Sequence, residues 1–364
     1  MSIFRKFKYK SENDLFFSEV VGQGVYFLNE ETMYLPDNLY TDTPRAFPVF
    51  ENYQTGEQFF AKKIRPFAHN RAYVRYARTM VDPELILWPC DVIELNRPDG
   101  SEVNCGLEKY YDAFEEPELT DVVWKAVLFP RNGCIPGRRV SDIVQGYVDS
   151  KQLNYKNPNV VLLARRILEA FYKLNKKGYL YLEVSFDRFH MIENGNIYFD
   201  FSNLVYRTAD TTNIDRMNEN KLAEKWFPVE FAEPAVIQGK WNYADQRTQN
   251  YSLSAMLFYL LFGLHPYDGR LMDDYETNSR LQYYEKYEDY HKMPIFVFDP
   301  EDGRNRLGIF LSEKKILELW DSAPEKLKNM FQRSLAEDNA ERNTAKDMNP
   351  TPEEWLNCFA DVHW

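Results

Sequence analysis

The chain has 364 residues, long enough to bury one large core or two modest ones, and its 44 Lys and Arg against 56 Asp and Glu give a formal charge of −12. That balance disfavours nucleic acid and anionic membrane surfaces as partners. Cys90, Cys105, Cys134 and Cys358 are scattered with no C-x-x-C pair, which argues against a structural zinc or a disulfide framework and for a reduced, cytoplasmic setting.

Taken in chain order, the elements run from strands to helices. Val20–Gly24, Phe47–Tyr53 and Gln58–Ile64 read as short strands, the last two joined by a turn at Gln54, Thr55 and Gly56. Arg71–Met80 has the pattern of one helix. Asp91–Leu95, Glu102–Leu107 and Val122–Phe129 supply further strands, with turn signals at Pro98, Asp99 and Gly100. After Pro130 the period changes. Asn157 and Pro158 form an N-cap followed by a proline at the first helical position, and Val160, Leu163, Ile167, Leu168, Phe171 and Leu174 recur at helical spacing until Gly178. Tyr251–Leu264 is apolar nearly all round, as in a helix buried at a domain centre, and Pro266 is read as its stop; the run is too short to span a bilayer. Leu327–Leu335 and Pro352–Phe359 read as closing helices. The N-terminal segment lacks an apolar core of signal-peptide length, so neither a leader nor a membrane span is expected.

Several residues sit where phosphoryl-transfer chemistry needs them. Strand alternation in QFFAKKI puts Lys63 on the face of Ala61 and Lys62 on the other, an A-x-K pattern. Asn194-Gly195 is a hairpin signal, and Asp200-Phe201-Ser202 follows its second strand at once. Gly22 and Gly24 make a bare G-x-G ahead of these. A helix ending at Gly178, a loop, a hairpin and then an Asp resembles the helical lobe of protein kinases. Phe231–Ile237 (FAEPAVI) is similar to the A-P-E segment, Gln249–Tyr267 to the buried lobe helix, and Glu233 with Arg342 to the conserved ion pair of that lobe. The phrases WPCDVIE, VSFDR, FGLHPYDGR and PIFVFDPEDGRNR, within a match over about Val20–Phe359, resemble a bacterial serine/threonine-kinase-like family. Its members often accompany a protein phosphatase and a von Willebrand A-type protein in stress-response or tellurite-resistance gene clusters.

The resemblance implies an α+β, bilobal protein-kinase-like fold. A β-rich N-lobe would occupy 1–130, with insertions around 25–46 and 96–121, and a mainly α-helical C-lobe 131–364. It implies ATP held by Gly22, Gly24, Lys63 and Asp200, Mg²⁺ on Asp200, and a protein substrate or regulatory protein partner. The chain departs from the pattern where the chemistry lies. The H-R-D motif becomes Tyr181-Leu182-Glu183, and the metal-holding asparagine becomes Arg188. Glu183 keeps a carboxylate displaced by a methylene, a misplacement that can cost about 10²-fold in rate. Arg188 brings positive charge to a metal position. No acid occurs between Glu57 and Asp82 to orient Lys63, and Gln249 replaces an aspartate that braces the catalytic loop. Three readings follow: a pseudokinase that binds nucleotide, an active atypical kinase with Glu183 as base and Arg188 as a fixed cation, and a nucleotide-free structural adaptor. The five histidines show no H-E-x-x-H pattern and no G-x-S-x-G elbow is present, so zinc and serine hydrolases are poor fits.

Overall fold

Aromatic and β-branched residues on the N-terminal side favour a pleated surface, and among the described residues six strands pair there. The computed structural model describes residues 15–17, 24–35, 45–52, 54–64, 85–94, 125–130, 137–200, 205–207, 230–240, 245–272, 292, 294–308, 311–336 and 349–362. The chain divides into two compact units. The first holds the described residues up to 130 together with Phe199 and Asp200, and the second holds the remainder. The expected helix Arg71–Met80 and strand Glu102–Leu107 lie outside the described residues.

In the first unit the strands are β1 (Leu15–Phe17), β2 (Gly24–Leu35), β3 (Arg45–Asn52), β4 (Gln58–Ile64), β5 (Asp91–Glu94) and β6 (Lys125–Pro130). They pair antiparallel in the order β1-β2-β3-β4-β6-β5. Strand β2 runs 12 residues and pairs with β3 through an irregularity between Leu28 and Thr32, and residues 36–44 of the expected insertion 25–46 lie outside the described residues. One face of the sheet buries Phe50, Phe59, Ala61, Ile93, Ala126 and Leu128. Phe60 and Phe129 are also buried and stack at 5.2 Å. Asn52 closes the β3–β4 turn, its Oδ1 accepting the N–H groups of Gln54 and Thr55.

In the second unit the elements are β7 (Arg138–Arg139), α1 (Val140–Asp149), α2 (Pro158–Lys176), β8 (Tyr179–Tyr181), β9 (Phe189–Met191), β10 (Ile197–Phe199), β11 (Val205–Arg207), α3 (Pro234–Ile237), α4 (Gln246–Phe262), α5 (Leu311–Ser322), α6 (Glu325–Leu335) and α7 (Pro352–Asp361). The chain is thus of mixed α+β class. Asn157 caps α2 by accepting the Asn159 N–H, with Pro158 at the first helical position. Helix α4 starts a turn and a half earlier than Tyr251, behind an Asp245–Thr248 capping box. It ends at Gly263, φ 71°, before Pro266 is reached, because the left-handed cap closes the last turn there. Its rings Phe258 and Phe262 pack on Phe331 and Trp320, with Phe296 against Phe258, so this helix is the centre of an aromatic core. Among the described residues no helix is long and apolar enough to cross a membrane.

Candidate functional site

The stretch from Tyr179 to Arg188 is held from two directions. Its first strand, β8, pairs with β11, and all three of its residues are buried. Gln249, fully buried on α4, accepts the Tyr181 N–H through Oε1 at 3.0 Å. Asn175, in the last turn of α2, donates to the Tyr179 carbonyl at 2.8 Å and to Gln249 Oε1 at 3.1 Å. Its Oδ1 accepts from Gln249 at 2.9 Å and from Gln246 at 3.1 Å. The amide at 249 therefore grips the loop backbone, with Asn175 supplying the donors that an uncharged brace requires.

After β8 the chain makes a single 3-10 turn, Phe186–Arg188. Ser185 caps it, its hydroxyl accepting the Asp187 N–H at 3.4 Å. Phe186 anchors the turn from below, with ring contacts to Phe231 at 5.4 Å and Tyr259 at 5.9 Å. This turn brings Arg188 back over Glu183. The guanidinium Nε donates to Glu183 Oε1 at 2.6 Å, and Nη2 reaches the same oxygen. The side chains are 12% exposed for Glu183 and 17% for Arg188, so the pair is recessed but reachable from solvent. A carboxylate oxygen covered by two N–H donors from one guanidinium is committed to an ion pair. To take a proton from a hydroxyl at that oxygen it has to exchange that partner for a new one.

The other sequence-predicted positions fall as follows. Lys63 and Asp200 belong to the first unit, while Glu183 and Arg188 belong to the second. Lys63 lies near the end of β4 opposite Ala126. Asp200 follows Phe199, whose N–H and carbonyl bond the Leu85 carbonyl and the Leu87 N–H, both at 2.9 Å. Gly24 opens β2, in register with Phe17, and Gly22 lies outside the described residues. No glycine occurs between Gly24 and Gly56, so the connection from β2 to β3 is glycine-free. Among the described residues no three His, Cys, Asp or Glu side chains gather as a metal site. Asp200 alone is compatible with Mg²⁺, which is commonly held by one or two carboxylates plus substrate phosphates. Glu233, expected beside Arg342, faces Arg247 at 3.8 Å with both side chains buried, and Arg342 lies outside the described residues.

No family model matches the chain, and no curated protein matches it. The functional reading therefore rests on where the residues stand.

Beside the loop is a feature that sequence reasoning missed. Burial, followed by the negative charge of Asp187, pushes the Glu230 carboxyl up to about 7. Tyr259 is raised as well, by burial first and then by Glu230 and Asp268. Glu230 shows no motif in the sequence; only the packing of Phe231 onto Phe186 brings it near Asp187. Thiol chemistry has little support at the two described cysteines. The Cys90 thiol donates to the Leu128 carbonyl and is pushed up by burial, and Cys358 is raised to about 11 by the same cause.

Proposed function

We propose that this chain is a protein-kinase-like pseudokinase of two lobes that binds ATP and Mg²⁺ through Lys63 and Asp200 and acts through protein contacts. The single observation that carries the reading is the Glu183–Arg188 ion pair. The residue at the base position is held by the residue at the metal-holding position, so the loop keeps its shape while its two chemical groups neutralise each other. Three further features support it. The element order is a strand carrying Lys63, a helix ending at Lys176 just before the left-handed Gly178, the short strand, the 3-10 turn, a hairpin and then Asp200. The buried helix braces the loop backbone through Gln249. The Ser185 cap fixes the turn that bends Arg188 back.

On this reading Lys63 neutralises nucleotide phosphate charge and Asp200 ligates the ion, which when bound bridges the phosphates and offsets their charge. The phosphate cover falls to the connection between β1 and β2, which carries Gly22 and leads into Gly24 at the start of β2. The test is calorimetric titration of the full chain with ATP and Mg²⁺. Saturable binding is expected, weakened about tenfold or more by Lys63→Ala and by Asp200→Ala. At a hundredfold excess over Kd such binding also raises stability by roughly 2.7 kcal/mol, which a thermal shift detects. Absence of binding would leave the chain as a nucleotide-free adaptor.

A further inference from the structure

We propose that His265 is a neutral-ring latch: it holds Glu230 and Phe231 against the Phe186 turn while its imidazole is uncharged and releases them when the ring takes a second proton. His265 is 5% exposed. Its Nδ1 accepts the Tyr267 backbone N–H at 3.3 Å, and its Nε2 lies 2.7 Å from the Glu230 carbonyl oxygen. A carbonyl only accepts, so the proton sits on Nε2; a backbone N–H only donates, so Nδ1 must be bare. The two bonds together specify one neutral tautomer. A second proton has to enter at Nδ1, where it meets the Tyr267 N–H.

The consequence reaches the candidate site through packing. The His265 ring stacks on Phe231 at 6.2 Å, and Phe231 meets Phe186 at 5.4 Å. Phe186 belongs to the turn that carries Arg188 onto Glu183. Among the described residues, the titratable groups named around the latch are Glu230 itself, Tyr267 and Asp268 on its own turn, Tyr259 from α4 and Asp187 from the 3-10 turn. The carboxylates favour an imidazolium through charge, whereas burial and the occupied Nδ1 oppose it. Because Glu230 also gains a proton on acidification, the favourable term weakens as the ring is asked to charge. The two protonations therefore oppose each other, and the latch opens gradually and further toward acid.

The test follows the full chain by ¹⁵N-imidazole and amide-exchange spectroscopy across the roughly pH 5–8 window in which imidazoles titrate. Expected are the Nε2–H tautomer at the alkaline end, then ring protonation accompanied by a fall of about tenfold or more in Tyr267 amide protection and a shift of the Phe186 ring signals. His265→Gln offers one acceptor and one donor without titrating, so it should keep the protection and lose the pH response. An Nδ1–H tautomer, a ring that stays neutral throughout, protonation that leaves Tyr267 protection unchanged, or the same pH response in His265→Gln would each overturn the proposal.

Discussion

Gln249 and Tyr181 are joined by a buried hydrogen bond, the Tyr181 N–H donating to Oε1 at 3.0 Å, and this bond ties the central helix α4 to the strand that leads into the Glu183 loop. Asn175 completes the clasp from α2 by exchanging two amide bonds with Gln249. Gln249→Leu leaves the Tyr181 N–H without its acceptor, at a cost of about 1–3 kcal/mol. Asn175→Leu should cost a similar amount, and the double variant less than the sum, because both changes remove the same network. Urea denaturation of the three variants measures this coupling.

Glu230 makes stability depend on pH in an unusual direction. Its carboxyl is raised from 4.5 to about 7, so between those values the folded chain binds more protons than the unfolded one. Stability attributable to this group is complete below the unfolded value and is lost as pH rises through the folded one. Glu230→Gln should flatten that decline, gaining up to about 3 kcal/mol at alkaline pH relative to the parent, less whatever solvent around the side chain screens. Denaturation series at several pH values provide the check; an unchanged slope would discount the carboxyl's role.

Gly269 and Asn305 meet more closely than any side chain allows. A Cβ at Gly269 would lie 2.1 Å from the Asn305 carbonyl oxygen and 2.7 Å from its Oδ1. Asn305 is fully buried, donating to the Tyr267 and Ile295 carbonyls and accepting the Leu271 N–H. Gly269→Ala should displace it and cost about 3 kcal/mol or more in thermal unfolding. Gly146 in α1 has open space around it, and Gly146→Ala should instead stabilise by about 0.5–1 kcal/mol.

Much of the fold was legible in the chain because the signals are local. Asn157-Pro158 starts α2, Asn194-Gly195 turns the hairpin between β9 and β10, and QFFAKKI is β4 residue for residue. Two boundaries were missed for physical reasons. The strand expected to close at Gly24 is replaced by β2 opening there, and β2 is not legible onward to Leu35 because its pairing with β3 shifts register between Leu28 and Thr32. The end of α4 is set by a left-handed glycine, which outranks the later proline as a stop. At the candidate site the sequence marks Glu183, Arg188 and Gln249 as departures but not what they touch. Arg188 folds onto Glu183 only through the 3-10 turn, and Asn175 meets Gln249 from 74 positions away. Glu230 gains its raised carboxyl only from tertiary packing.

The central claim is that the Glu183–Arg188 pair leaves a kinase-like loop able to support nucleotide binding but not phosphotransfer. Transfer of the γ-phosphate from ATP to protein acceptors, assayed with Mg²⁺ on the purified full chain beside Asp200→Ala, tests it most directly. The account predicts that parent and variant are equally inactive although the parent binds nucleotide. Robust Mg²⁺-dependent phosphorylation by the parent that disappears in Asp200→Ala would contradict it.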